Sequence, residues 1–267
     1  MSAMKAALYG VRRYIPRPVR FGLHRLGKFF GDEFALYSPQ FGGTEFPSVR
    51  ATLEALRGWG FRPTTIVDVG AFRGDWARFA KDLFPDARVL MVEPQSQWWP
   101  QLRDVMSHTG GLALAPDLVG ATDGVAVQFI EMSTGSSVFE EQSDAPRERV
   151  TKTTKTLATV LGEHAGFERV DLLKIDVQGS ELEVLKGAGD ALDRCECVLV
   201  ECSLIQTNTG CPLVTDVIAF MVAHDFRLLD ICTLVRRRDL ALWQTDLLFV
   251  KNGSALVPKT TLDSTNW

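Results

Sequence analysis

Three residues in the first half of the chain have the types and spacing needed to bind a nucleoside-bearing cofactor. Gly70 and Gly74 follow a β-branched run at 64–69, and Glu93 follows the next apolar run at 88–92. Glycine permits a sharp strand-to-helix turn with no side chain in the way of a ligand. A carboxylate at the end of the next strand can accept hydrogen bonds from ribose hydroxyls. The spacing is G-x-x-x-G, whereas dinucleotide sites favour G-x-G-x-x-G, so the pattern disfavours a nicotinamide cofactor.

Three carboxylates further along the chain could perform acid–base chemistry. Asp176 and Glu201 each end an aliphatic run, and Glu181 lies in the helical segment after Asp176. Asp176 could serve as a general base, a substrate anchor or a metal ligand, or it could cap the next helix or hold an amino group of the cofactor. Glu181 could face the substrate or only favour the helix dipole. The three could jointly bind a divalent cation, although separate hydrogen-bonding roles are favoured.

Alternating strands and helices must position these side chains. Such alternation predicts one α/β domain with a parallel sheet, in which strand ends meet at one edge. Ser180 is predicted to begin a helix with a capping box to Glu183. The polar stretch 132–149 is predicted to be a long functional loop. The predicted strands are 64–69, 88–92, 112–119, 125–131, 170–176, 197–201, 226–231 and 247–250, with a hairpin at 234–243. The predicted helices are 49–59, 75–83, 97–107, 156–161, 215–224 and the one that begins at Ser180.

Composition narrows the class of protein. The net charge of −4 argues against a protein dominated by contacts with nucleic-acid phosphates. The five cysteines include no C-x-x-C pair and the four histidines are scattered, so a zinc site is disfavoured. An odd cysteine count favours reduced thiols and therefore a cytoplasmic location. No apolar run is long enough for a transmembrane segment.

The N-terminal residues differ in charge from the rest. Within residues 1–30 every charged side chain is basic, and no acid precedes Asp32. We predict a basic helical leader at 1–49 and a separate domain at 50–267. The leader could touch a membrane surface peripherally, although a solvated helix is favoured.

Longer motifs carry a family resemblance. Residues 68–76 read DVGAFRGDW, residues 92–94 read VEP, and residues 171–188 read DLLKIDVQGSELEVLKGA. Together they resemble the FkbM family of methyltransferases, and the third stretch is the most specific. The resemblance covers roughly residues 64–251. Phe72 departs from the small or polar residue that the family has at this turn, which puts the local turn geometry in question.

The resemblance implies a Rossmann-like class I methyltransferase fold with a seven-stranded, mostly parallel sheet whose last strand is antiparallel. It implies S-adenosylmethionine as cofactor and a hydroxyl of a sugar, glycan or secondary metabolite as methyl acceptor. Its implied cofactor-binding residues are Asp68, Gly70, Ala71, Gly74, Trp76, Glu93, Pro94, Gly120, Ala121, Ser136, Ser137 and Asp176. From their positions at strand ends and in the helical turn after Asp176, the predicted catalytic residues are Asp176, Glu181 and Glu201. Two rival hypotheses are a nicotinamide-dependent oxidoreductase and a non-catalytic module that binds a cofactor.

Overall fold

The computed structural model describes residues 37–38, 43–44, 48–131, 136–138, 148–206 and 209–257. The chain divides into two compact units, one of residues 1–46 with 262–267 and one of residues 47–261. In the first unit the described residues form an antiparallel pair, β1 (Tyr37–Ser38) and β2 (Gly43–Thr44). Residues 1–36, 39–42 and 45–47 of the predicted leader lie outside the described residues, and Val49 already belongs to the first helix of the second unit.

The second unit alternates strands and helices, as the sequence predicts. Its described strands are β3 (Thr65–Val69), β4 (Arg88–Val92), β5 (Leu112–Ala115), β6 (Leu118–Val119), β7 (Ala126–Glu131), β8 (Glu148–Lys155), β9 (Val170–Ile175), β10 (Cys195–Ser203), β11 (Phe226–Ile231), β12 (Val235–Arg236) and β13 (Leu242–Lys251). Its described helices are α1 (Val49–Gly58), α2 (Asp75–Leu83), α3 (Trp99–His108), α4 (Leu157–Gly162), α5 (Glu181–Ala188), α6 (Asp190–Asp193) and α7 (Val214–Ala223), with a 3-10 turn (Ser96–Trp98) before α3.

The main sheet has the strand order β11-β13-β10-β9-β3-β4-β5, and the short β12 pairs with β13. The pairs from β10 through β5 are parallel, whereas β13 is antiparallel to both β10 and β11. The prediction of a mostly parallel sheet with an antiparallel last strand is therefore confirmed. The order reverses at β3, since the chain proceeds to β4 on one side and later to β9 on the other. A ligand cleft is expected at the carboxyl ends of these three strands.

Helices cover both faces of this sheet, which explains why its central strands read as aliphatic runs. Every residue of β3 and β9 is buried. One apolar cluster joins α4, α5, α6 and α7 to one face, and a second joins α1, α2 and α3 to the other. Parallel strands buried on both faces lose the polar–apolar alternation of a half-exposed strand. All five cysteines are buried.

A small second sheet, of order β6-β8-β7, corrects two predictions. The single strand predicted at 112–119 is broken into β5 and β6, because Pro116 lies between them and cannot donate a ladder hydrogen bond. The predicted loop 132–149 ends earlier than expected, since β8 begins at Glu148 and pairs antiparallel with β7. β8 is polar, and only one of its residues, Thr154, is buried, so it lacks the apolar pattern by which strands are recognised. Residues 132–135 and 139–147 of the predicted loop lie outside the described residues.

Candidate active site

A cavity of about 230 Å³ lies at the carboxyl edge of the sheet where the strand order reverses. The segments after β3, β4 and β9 contribute to its wall, together with β6, β7 and residues 136–138. Its lining residues are Val69, Gly70, Phe72, Val92, Glu93, Pro94, Gln95, Asp117, Leu118, Val119, Phe129, Ser136, Val138, Asp176, Val177, Gln178 and Ser180.

The turn after β3 requires glycine for two independent reasons. Gly70 has a φ of +83°, and a Cβ at this position would lie 1.9 Å from the backbone oxygen of Asp176. The amides of Gly70 and Ala71 both donate to the carbonyl of Val92, at 3.0 and 3.1 Å. Gly74 precedes α2 with a φ of +78°. These contacts pack the ends of β3, β4 and β9 against one another, as a shared ligand site requires.

Glu93 is held in the cavity wall by backbone amides. Its Oε2 accepts from the amide of Phe72 at 2.7 Å, and its Oε1 accepts from the amide of Gln95 at 2.9 Å. Only 2% of Glu93 is exposed, and burial raises the pKa of its carboxyl, against the lowering effect of these hydrogen bonds. A carboxylate oxygen can accept more than one hydrogen bond, so each oxygen keeps capacity for a ligand hydroxyl.

Phe72 adopts the left-handed conformation, with a φ of +49°. Its ring packs edge-on against Trp98 with the centroids 4.6 Å apart, and the Arg73 guanidinium lies over both rings. The turn therefore accommodates the bulky residue by packing its ring against Trp98. Trp98 supports Phe72 and is not among the cavity-lining residues.

Asp176 and Glu201 form an acid pair near the ends of β9 and β10, and the Gln178 side chain donates to both. Burial and the charge of Asp176 raise the pKa of Glu201 to about 10. Burial also opposes ionisation of Asp176, but the Lys174 charge and the hydrogen bond from Glu201 outweigh it and lower its pKa. At neutral pH Glu201 is therefore protonated and Asp176 is ionised. The Asp176 side chain is 38% exposed and lines the cavity.

A buried lysine lies beneath this pair. Lys174 Nζ is 2.9 Å from Asp68 Oδ1, donates to the Gly70 carbonyl at 3.0 Å and is 3.5 Å from Asp176 Oδ2. Asp68 is completely buried and does not line the cavity. It acts on the site through Lys174, because a buried lysine needs a compensating carboxylate.

The start of α5 corrects the predicted capping box. Ser180 makes no side-chain cap, and Glu183 is in an exposed pair with Lys186. Instead Glu181 Oε1 accepts from the Gly179 amide at 2.8 Å, and burial raises the pKa of Glu181 to about 7. Asp176 accepts instead from the Gln178 side chain, at 2.8 Å. Among the described residues, the buried Ser180 hydroxyl has no hydrogen-bond partner.

Two serines connect opposite walls of the cavity. Ser136 Oγ donates to Gln95 Oε1 at 2.8 Å on the β4 side, and Ser137 Oγ donates to the Gln178 carbonyl at 2.7 Å on the β9 side. Residues 136–138 thus span the space between the two glutamines. The adjacent Thr134 and Gly135 lie outside the described residues.

The structure brings some of the predicted site residues together and not others. Of the predicted residues, Gly70, Glu93, Pro94, Ser136 and Asp176 line the cavity. Those that do not line it are Asp68, Ala71, Gly74, Trp76, Gly120, Ala121, Ser137, Glu181 and Glu201.

Several of these residues have structural contacts instead. A Cβ at Gly120 would lie 3.0 Å from the Thr154 side chain, so this glycine allows close packing of β6 and β8. Trp76 is half-buried and packs against Phe79.

Sequence reasoning missed two glutamines that bind the key carboxylates. Gln95 follows Glu93 by two residues, and Gln178 follows Asp176 by two residues. The backbone amide of Gln95 donates to the carboxylate of Glu93. The side-chain amide of Gln178 donates to the carboxylate of Asp176. This repeated spacing after a strand end was the available signal.

Within the described part of the chain, no three His, Cys, Asp or Glu side chains converge in an arrangement that could hold a metal ion. The suggested joint metal site of Asp176, Glu181 and Glu201 therefore gains no support. No helix among the described residues has the length and apolarity needed to cross a bilayer.

Similar proteins were found among solved structures, curated proteins and family models. The solved structures with a similar arrangement include precorrin-6y C5,15-methyltransferase from Geobacter metallireducens (15% identity, 82% of this chain and 94% of that chain, TM-score 0.45). TrmK from M. capricolum, solved with S-adenosyl-homocysteine, is similar over 77% of this chain and 69% of that chain, with 11% identity and a TM-score of 0.44.

Among curated proteins, methyltransferase sdnD of Sordaria araneosa is 31% identical over 160 residues, which are 47% of this chain and 60% of that protein. Methyltransferase 1 of Beauveria bassiana is 27% identical over 145 residues, 47% of this chain and 58% of that protein. The chain thus spans about 60% of the length of these relatives. The model of the methyltransferase FkbM domain matches residues 68–228, which include the glycine turn, Glu93 and the Asp176 segment. This chain belongs to the FkbM methyltransferase family.

Proposed function

We propose that this protein is an S-adenosylmethionine-dependent O-methyltransferase that acts on a hydroxyl of a sugar, glycan or secondary metabolite. One observation carries the proposal: Gly70, Glu93 and Asp176 end three adjacent strands and line a single cavity. At one edge of the sheet, Gly70 supplies a turn with no side chain, Glu93 supplies a hydrogen-bond acceptor for ribose hydroxyls, and Asp176 supplies an ionised carboxylate.

The residues present fit the cofactor. Glu93 has acceptor capacity for the ribose hydroxyls, and the unpartnered Ser180 hydroxyl can bind a ligand polar group. An unpaired buried hydroxyl costs free energy, so a bound partner there is favoured. S-adenosylmethionine, when bound, supplies an electrophilic methyl group on a sulfonium sulfur.

Asp176 is the proposed base for the acceptor. Its ionised carboxylate can accept the hydrogen of an acceptor hydroxyl, orient the oxygen and take up the proton. Lys174 and the protonated Glu201 stabilise that charge, so Asp176 is ionised at neutral pH and its oxygens are available to an acceptor hydroxyl. Glu181, buried beside the cavity, supports the loop through Gly179 and has no contact with the cavity.

Two measurements test the proposal. Calorimetry with S-adenosylhomocysteine should show binding, and an absence of binding at high micromolar concentration would overturn the function. A labelled-methyl assay against glycans and natural-product alcohols, with and without a chelator, tests the acceptor class and the need for a metal.

A substitution at Asp176 separates chemistry from cofactor binding. Asp176→Asn should lower turnover by about 10²–10⁴-fold, the range for loss of a general base. Its affinity for S-adenosylhomocysteine should be unchanged, and the exposed Glu183→Gln should match wild type in both assays. Unchanged turnover in Asp176→Asn would remove this residue from the mechanism and favour another base or a non-catalytic module.

We also propose a cytoplasmic location and a basic leader at 1–49 that is separate from the catalytic domain. The free, buried thiols of Cys195, Cys197, Cys202 and Cys232 fit a reducing compartment. Limited proteolysis should release the leader and leave the domain folded; protection of residues 1–49 would contradict the proposed boundary.

A further inference from the structure

Gln178 is the residue that joins the two members of the acid pair. Its Nε2 donates to Asp176 Oδ1 at 2.8 Å and to Glu201 Oε2 at 2.9 Å. A glutamine side-chain amide has two N–H donors and no charge, so it can donate to both acids without adding a further charge to the pair. Gln178 also lines the cavity.

The backbone of Gln178 shows that the fold places this side chain at a cost. Its φ of +55° lies in the left-handed region, which is unfavourable for a residue with a Cβ. The Gln178 carbonyl accepts from Ser137 Oγ at 2.7 Å, which fixes the turn from the opposite wall. A strained backbone that persists at a ligand site indicates a positional requirement.

We propose that Gln178 is a positioning residue for methyl transfer, which holds the carboxyl of Asp176 at the acceptor and aligns Glu201 behind it. This inference rests on the proposed function, because it assigns Gln178 a role only through Asp176. Without the two donated hydrogen bonds, Asp176 loses its fixed orientation and Glu201 loses its link to the cavity wall.

The local charges decide the direction of a pH effect. The other charged or titratable groups that face Asp176 are Lys174 on its own strand, Asp68 on β3, Glu201 on β10, Glu181 on α5 and Asp246 on β13. Carboxyls outnumber the single lysine in this set. Gln178 donates to the ionised form of Asp176 and so lowers the pKa of that carboxyl. Removal of the Gln178 donor raises the pKa of Asp176 and shifts the acidic limb of the rate profile to higher pH.

Gln178→Met and Gln178→Glu test the role against Gln128→Met, which removes an exposed glutamine that bonds Thr151. Gln178→Met removes the donors at nearly constant size, and Gln178→Glu also adds a carboxylate. We expect kcat for the methionine variant to fall at least about 10-fold and its acidic limb to rise by about one to two pH units. The glutamate variant should shift further, and the control should match wild type.

Binding of S-adenosylhomocysteine separates the possible outcomes. Both Gln178 variants should retain wild-type affinity, because the proposed role lies with the acceptor. Wild-type kcat and an unmoved pH profile in Gln178→Met would overturn the inference while leaving the methyltransferase intact. Loss of cofactor affinity would overturn it in favour of a cofactor-binding role. Lack of both binding and transfer in the wild type would overturn the proposed function, and this inference with it.

Discussion

Substitution of Gly70 by alanine tests the central packing contact of the site. The new Cβ would lie 1.9 Å from the Asp176 carbonyl oxygen, and real Cβ contacts essentially never fall below 3.0 Å. The two backbone segments must therefore separate by roughly 1 Å, and overpacking of this kind costs about 1–3 kcal/mol. The positive φ adds about 1–2 kcal/mol for any residue with a Cβ.

Gly124 provides a matched control for the free-energy cost of the positive φ. Its φ of +78° is close to that of Gly70, and an added Cβ there would meet nothing within 4 Å. Gly124→Ala should show the conformational cost alone. Gly70→Ala should lose about 2 kcal/mol more in the free energy of unfolding, or roughly 4–8 °C in Tm.

Thermal and denaturant unfolding of both variants measure this difference. The displaced atom belongs to Asp176, so Gly70→Ala should also lose methyl transfer, whereas Gly124→Ala should retain it. Equal stabilities, within about 0.5 kcal/mol as expected for independent surface changes, would refute the claim that the β3 and β9 turns are in close contact.

Three further predictions concern buried charges. Glu93→Gln should weaken S-adenosylhomocysteine binding about 10-fold or more by calorimetry, since hydrogen bonds to a charged acceptor are worth about 1.5–3 kcal/mol; an unchanged Kd would remove Glu93 from the ribose site. The pKa of Glu181 is raised to about 7 from 4.5, so its stabilising contribution is present below pH 4.5 and is lost as the pH rises through 7. Glu181→Gln should therefore gain up to about 3 kcal/mol relative to wild type across this window in denaturant titrations, and exposed Glu183→Gln should give no such trend; parallel pH curves for wild type and Glu181→Gln would contradict the assignment. Lys174→Met should destabilise the fold by about 3–5 kcal/mol because it leaves Asp68 buried and unpaired; additional replacement of Asp68 by Asn should restore most of the loss, and no recovery would argue against the ion pair.

Much of the fold was predictable because local patterns determine it. The β-branched run before Gly70 and the aliphatic run before Asp176 both form central strands. The polar strand β8 was not predictable, since its partner β7, rather than an apolar face, stabilises it. The strand break at Pro116 could have been predicted, because proline has no backbone N–H to donate. The apolar residues on both sides of Pro116 instead suggested one continuous strand.

The candidate active site was also predictable only in part. Glycine and carboxylate positions after strands predicted Gly70, Glu93 and Asp176 as neighbours, and all three line the cavity. The predicted capping box at Ser180 was wrong: Ser180 makes no side-chain cap, Glu183 accepts from Lys186, and the buried Glu181 accepts from the Gly179 amide. Sequence spacing cannot show these pairings, since they depend on which side chain the core encloses.

By itself, the sequence determined the α/β class, the order of the elements and the chemistry available at each strand end, because these follow from periodicity and residue type. Only the tertiary structure decided which of the carboxylates share a proton, which one Lys174 neutralises and which side chain bridges them. Those properties depend on distances between strands that are far apart in the chain, and on burial, which changes the energy of every charge it encloses.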